Sequence, residues 1–84
     1  MQMLSITLEL YLTVKEKKEA EEYYRKAIEV NPKWARAYYN LGVLFETQGK
    51  LKEAEEYYRI AIQLNTKYSS AYYNLGVIFR KQEN

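Results

Sequence analysis

Apolar residues recur along this chain at the spacing of amphipathic helices. Ala37, Tyr38, Leu41, Leu44 and Phe45 fall at three- and four-residue intervals, which puts them on one helix face. Gln48-Gly49 follows and predicts the stop, because glycine takes the left-handed conformation at a helix C-terminus at little cost. A second helix is predicted from about Leu51. Its first turns carry Glu53, Glu55 and Glu56, which suit the positive end of a helix dipole. Ala54, Tyr57, Tyr58, Ala61, Ile62 and Leu64 form its expected buried side, while Glu55 and Arg59 are an i,i+4 pair worth only a few tenths of a kcal/mol. Asn31-Pro32 ends an equivalent earlier helix and restarts the chain.

The pattern repeats. The heptapeptide AYYNLGV stands at 37–43 and again at 71–77, 34 residues later, and KEAEEYYR at 18–25 recurs at 52–59. Residues 18–48 and 52–82 share 21 identities in 31 positions. A fixed period of this length predicts stacked supersecondary units, each unable to bury its apolar face alone. Small residues set the joint between the two helices of a unit. Gly42 on one helix, with Ala54 and Ala61 on the next, lets the backbones approach, and Tyr38 and Phe45 against Tyr58 fill the space beside them.

Composition excludes more than it selects. The 84 residues make one small domain, and a chain of this size buries roughly 60% of its unfolded surface. It has no Cys and no His, which removes disulfides, the commonest metal ligand and the commonest general base. The net charge of +2 comes from interspersed signs, so no basic stripe suggests nucleic acid. The apolar start, Met1 to Val14, is shorter than the about 20 residues a bilayer span needs. It also lacks a basic region and a cleavage site, so no membrane role and a cytoplasmic location are expected. No nucleophile–base pair, phosphate loop or metal box is present, so neither catalysis nor a cofactor is expected. The glutamates at 19, 21, 22 and at 53, 55, 56 alternate between helix faces beside basic neighbours and read as solvated surface.

Many positions in register resemble the tetratricopeptide repeat: a large aromatic, Leu-Gly, an aromatic, Ala, an aromatic, Ala and Pro within one 34-residue period. The middle repeat carries Tyr38, Leu41, Gly42, Phe45, Ala54, Tyr58 and Ala61, with Thr66 in place of the proline. The first repeat carries Tyr11, Ala20, Tyr24, Ala27 and Pro32, and the third carries Tyr72, Leu75, Gly76 and Phe79. The resemblance implies an all-α fold, a right-handed superhelical array of antiparallel helix pairs with about five helices. One domain over residues 1–84 would hold a repeat at 1–34 with a divergent first helix, a repeat at 35–68 and a half repeat at 69–84.

The first helix departs from the pattern. Leu8 stands where the glycine is expected and Lys15 where the turn glycine is expected. Between 1–17 and 35–51 only Leu10/Leu44 and Thr13/Thr47 match. Leu8 opposite Ala20 would push the first two helices apart, and LTVKEKK at 12–18 has no Gly, Pro or Asn to force a turn. The five-helix reading closes a hairpin here. The alternative is a single helix to Val30, about 42 Å long, with its hairpin face open to another chain.

The resemblance also implies a binding surface. The first helix of each pair lines the concave face of such arrays, which are protein–protein interaction scaffolds that take peptide segments. Matching positions here are Arg36, Tyr39, Asn40, Val43, Glu46 and Thr47, then Ser70, Tyr73, Asn74, Val77, Arg80 and Lys81. Asn40 and Asn74 hold the same place in successive repeats, and an amide can both donate to and accept from a peptide backbone. The pair resembles the asparagine ladder of some family members; Asn as a locally bonded consensus residue is the plainer reading. At the positions of the family's carboxylate clamp (Ser5, Glu9, Asn40, Ser70 and Asn74) only Asn40 matches, so no tight binding of acidic C-terminal tails is expected.

Both ends predict self-association. Repeat arrays need polar terminal helices, yet Leu4 and Leu8 at one end and Tyr72, Leu75, Ile78 and Phe79 at the other offer apolar faces. A homo-oligomer, dimer or higher, with no separate ligand is therefore the competing function. Such near-identical repeats would also suit a designed or excised fragment.

Overall fold

A computed structural model describes the backbone of residues 2–83 and the side chains of residues 8–83. Four helices follow one another: α1 (Gln2–Val30), α2 (Ala35–Thr47), α3 (Leu51–Leu64) and α4 (Ser69–Gln82). α2 packs most extensively on α3, with α1 against α2 and α4 against α3.

The turns follow from their residues. Gly49 takes φ +80°. The N–H of Lys50 then reaches back to the Phe45 carbonyl at 3.0 Å and that of Gly49 to the Glu46 carbonyl at 3.0 Å. This pair of bonds closes the end of α2 in a Schellman motif. Between repeats, Asn31 Oδ1 accepts the Lys33 N–H at 3.2 Å and Asn65 Oδ1 accepts the Lys67 N–H at 3.1 Å. These are two copies of one side-chain-stabilised turn. The hydroxyl of Tyr38 donates to the Pro32 carbonyl at 3.0 Å, and that of Tyr72 to the Thr66 carbonyl at 3.2 Å. Proline and threonine thus serve the same turn, because what the tyrosine needs is a carbonyl.

The expected hairpin at 12–18 does not form. α1 runs unbroken through that segment, so the described residues hold four helices rather than five. Two causes act together. Nothing at 12–18 breaks a helix, and the Thr13 hydroxyl is satisfied inside it, donating to the Glu9 carbonyl at 2.9 Å. Leu8 also occupies the position where the α2–α3 joint tolerates only glycine. A Cβ added at Gly42 would lie 2.5 Å from Cε1 and 2.6 Å from Cδ1 of Tyr58. The equivalent pair in a folded-back first repeat would be Leu8 against Tyr24.

The core lies between α2, α3 and α4 and contains Leu41, Phe45, Ala54, Tyr58, Ala61, Ala71, Leu75 and Ile78. No described residue of α1 is fully buried. Two expectations about faces are corrected. Leu64 is exposed at the end of α3, not on its buried side. Leu75 and Ile78 are buried, so they are not part of an open face on α4. They belong to the row with Ala71 that meets α3, while the open row is Tyr72, Gly76 and Phe79. Leu8 is exposed as expected, and the side chain of Leu4 lies outside the described residues.

Residues 8–16 of α1 are all exposed, so breaking the helix there leaves the core intact. Glu16→Pro removes one backbone hydrogen bond and clashes with the preceding turn. It is expected to lower far-UV helicity while the near-UV tyrosine transition stays within about 1 kcal/mol of the parent. Equal losses by both probes would show that the N-terminal half of α1 is coupled to the core.

Candidate functional site

α2 and α4 bring the sequence-predicted residues of two repeats side by side. Tyr39, Val43, Glu46, Thr47, Asn74 and Lys81 line one cavity of about 310 Å³. Tyr39 and Asn74 also border an adjacent depression of about 450 Å³ with Ser69, Ser70 and Tyr73. Val77 and Arg80 line a third hollow of about 280 Å³ with Tyr72, Tyr73 and Gly76. Arg36 is exposed at the start of α2 and Asn40 is half-buried; neither lines these three hollows.

A hydrogen-bonded network forms the floor. The buried Tyr58 hydroxyl donates to Glu46 Oε1 at 2.7 Å. Asn74 Nδ2 donates to the hydroxyls of Tyr39 and Tyr58, each at 3.2 Å. Lys81 Nζ sits 3.4 Å from Glu46 Oε2. Tyr39 stacks on Tyr68 with ring centroids 5.0 Å apart and tilts against Tyr58 at 5.6 Å. These contacts make Tyr39 part of the floor.

The network alters the ladder reading. The N–H₂ group of Asn74 is engaged inside the protein, leaving its carbonyl oxygen as the group that can accept a peptide N–H. No sequence signal marked this network, because its bonds cross 12, 16 and 35 residues.

Burial, with Glu46 beside it, pushes the Tyr58 phenol well above its ordinary value of 10.0. The folded state therefore holds this proton more tightly than the unfolded chain. That contribution to stability is complete below the ordinary phenol value and is lost as pH rises above it. Chemical denaturation is expected to give a stability that falls progressively above about pH 10, with Tyr58 among the last tyrosines to ionise by ultraviolet titration. Early ionisation of every tyrosine in the folded protein would contradict the buried network.

Among the described residues, no group of three or more His, Cys, Asp or Glu side chains could hold a metal ion. No described helix is long and apolar enough to cross a membrane. No curated protein matches the chain. A family model described as tetratricopeptide repeat matches residues 10–69. That match spans α1 from Leu10 onward, both helices of the central pair and the turn into α4, and it covers most of the sequence. The 34-residue period, the Gly42–Tyr58 joint and this match agree, and the chain belongs to the tetratricopeptide repeat family.

Proposed function

We propose that the chain is a non-catalytic interaction module that holds an extended peptide across the concave face of α2 and α4. Repeats of this family mediate protein–protein interaction, and this reading names the surface. The observation that carries it is the pair of neighbouring hollows that share Tyr39 and Asn74, one with Val43, Glu46 and Lys81 and the other with Ser70 and Tyr73. Their floor is fixed by hydrogen bonds, so little side-chain entropy remains to be lost on binding.

The groove has three kinds of anchor. Tyr73 is exposed and offers a large ring at low entropy cost. The Asn74 carbonyl can accept a backbone N–H. Lys81, with Arg80 near it, offers positive charge beside the Glu46 carboxylate. A screen of extended peptides by fluorescence anisotropy tests the reading. Tyr73→Ala is expected to weaken any hit at least about tenfold, the size of a lost aromatic anchor. Because Tyr73 is exposed, the variant should keep parental helicity. A hit whose affinity ignores Tyr73→Ala, Arg80→Ala and Lys81→Ala alike would place binding elsewhere.

A further inference from the structure

The chain carries two unfilled halves of the joint that it fills once, between α2 and α3. In the filled joint, Gly42 faces the Tyr58 ring, Phe45 stacks on Tyr57 at 5.4 Å and 5°, and Ala54 and Ala61 are fully buried. The first unfilled half is α4. It repeats 9 of 14 residues of the corresponding segment 35–48, but nothing lies within 4 Å of a Cβ added at Gly76. Phe79 is 41% exposed where Phe45 is 6%. The second unfilled half is residues 18–30 of α1, which repeat 10 of 13 residues of α3. Ala20, Tyr24 and Ala27 are only half-buried there, whereas Ala54, Tyr58 and Ala61 are completely buried. An apolar depression of about 520 Å³ at Tyr23, Ala27, Val30 and Trp34 marks that side of α1.

We infer that the two halves complete each other between copies: residues 18–30 of one chain dock on α4 of the next as α3 docks on α2. Tyr24 of the docking chain covers Gly76 of the next, and its Tyr23 stacks on Phe79. Charge agrees with this antiparallel arrangement. Glu46 of α2, which reaches Tyr58 across the filled joint, is replaced in α4 by Arg80, which comes to the end of the docked segment that carries Glu19, Glu21 and Glu22. The same geometry disfavours the other self-pairing, an exchange of α1 halves between two copies. That would put Leu8 against Tyr24 at the one position where the filled joint has no room for a Cβ. The contact is head-to-tail, so it propagates into a ring or an open superhelix rather than stopping at a symmetric pair.

Blocking one half at a time tests this. Gly76→Leu fills the open space on α4, and Tyr23→Glu removes the stacking ring from α1; both sites are exposed, and far-UV CD checks that each variant folds. Light scattering of the wild type, from on the order of 10 µM to on the order of 1 mM, should show mass rising beyond two chains of 10.1 kDa. Each variant alone should stay at one chain. An equimolar mixture should stop at two, because the α4 of Tyr23→Glu can still take the α1 of Gly76→Leu. A wild type that stays monomeric, a single variant that still associates, or a mixture that fails to pair each overturns the inference.

Discussion

Gly42→Ala is expected to destabilise the protein by about 1–3 kcal/mol, the cost of forcing extra bulk into a packed core. Gly76→Ala, in the same heptapeptide, is expected to stabilise it by up to about 1 kcal/mol. The opposite signs come from surroundings alone. A methyl at Gly42 meets the Tyr58 ring at 2.5 Å, and that ring is fully buried and tied by its hydroxyl to Glu46 and Asn74, so it cannot swing aside. A methyl at Gly76 meets nothing, and only the intrinsic preference of alanine for a helix remains. Urea unfolding at low protein concentration, where self-association is absent, reads both values. Two changes of the same sign would mean that α4 and α2 meet equivalent neighbours, contrary to the open face described above.

Tyr58→Ala should have the largest effect of any single substitution, about 3–5 kcal/mol, as for other large aromatics removed from a core. A domain this small has little reserve, so the variant should be largely unfolded at room temperature. The ring packs against Gly42 and Tyr39 of α2, and its hydroxyl has two hydrogen-bonding partners, Glu46 of α2 and Asn74 of α4. Tyr24→Ala, the same change at the matching place in α1, should cost far less, since Tyr24 is only half-buried. Thermal unfolding followed at 222 nm separates the two. Similar costs would imply that Tyr24 is packed in solution as Tyr58 is, which requires a helix over residues 18–30 that these contacts do not supply.

The helices, their period and most of the core were legible from spacing. Ala37, Leu41, Phe45, Ala54, Tyr58 and Ala61 follow helical periodicity twice over, and all six are buried. Gly49 was legible as a stop because only a residue free of a Cβ takes φ +80° cheaply. Leu64 and the Leu75–Ile78 row were misread because an apolar residue at a helix edge can face either neighbour, and only the packing of α3 decides which. The unbroken α1 was ambiguous for a similar reason. The missing turn residues were visible, but the collision that keeps Leu8 out of a joint is a distance and shows only once Gly42 and Tyr58 are placed. In the groove, the candidate residues were found by repeat position. Their internal network was not, since hydrogen bonds spanning two repeats leave no local pattern.

The central claim is that α1 is one helix and therefore leaves the face of residues 18–30 open. Spin labels at exposed Glu9 and Lys26, measured by pulsed dipolar spectroscopy with excess unlabelled chain, test it directly. Along one continuous helix the two backbones are about 26 Å apart, at 1.5 Å per residue. A hairpin would bring them to about 10 Å, the separation of packed neighbouring helices. A distance distribution centred near the longer value is the predicted result. A distribution near the shorter one would contradict the account, because the first repeat would then be closed and its half of the joint already filled.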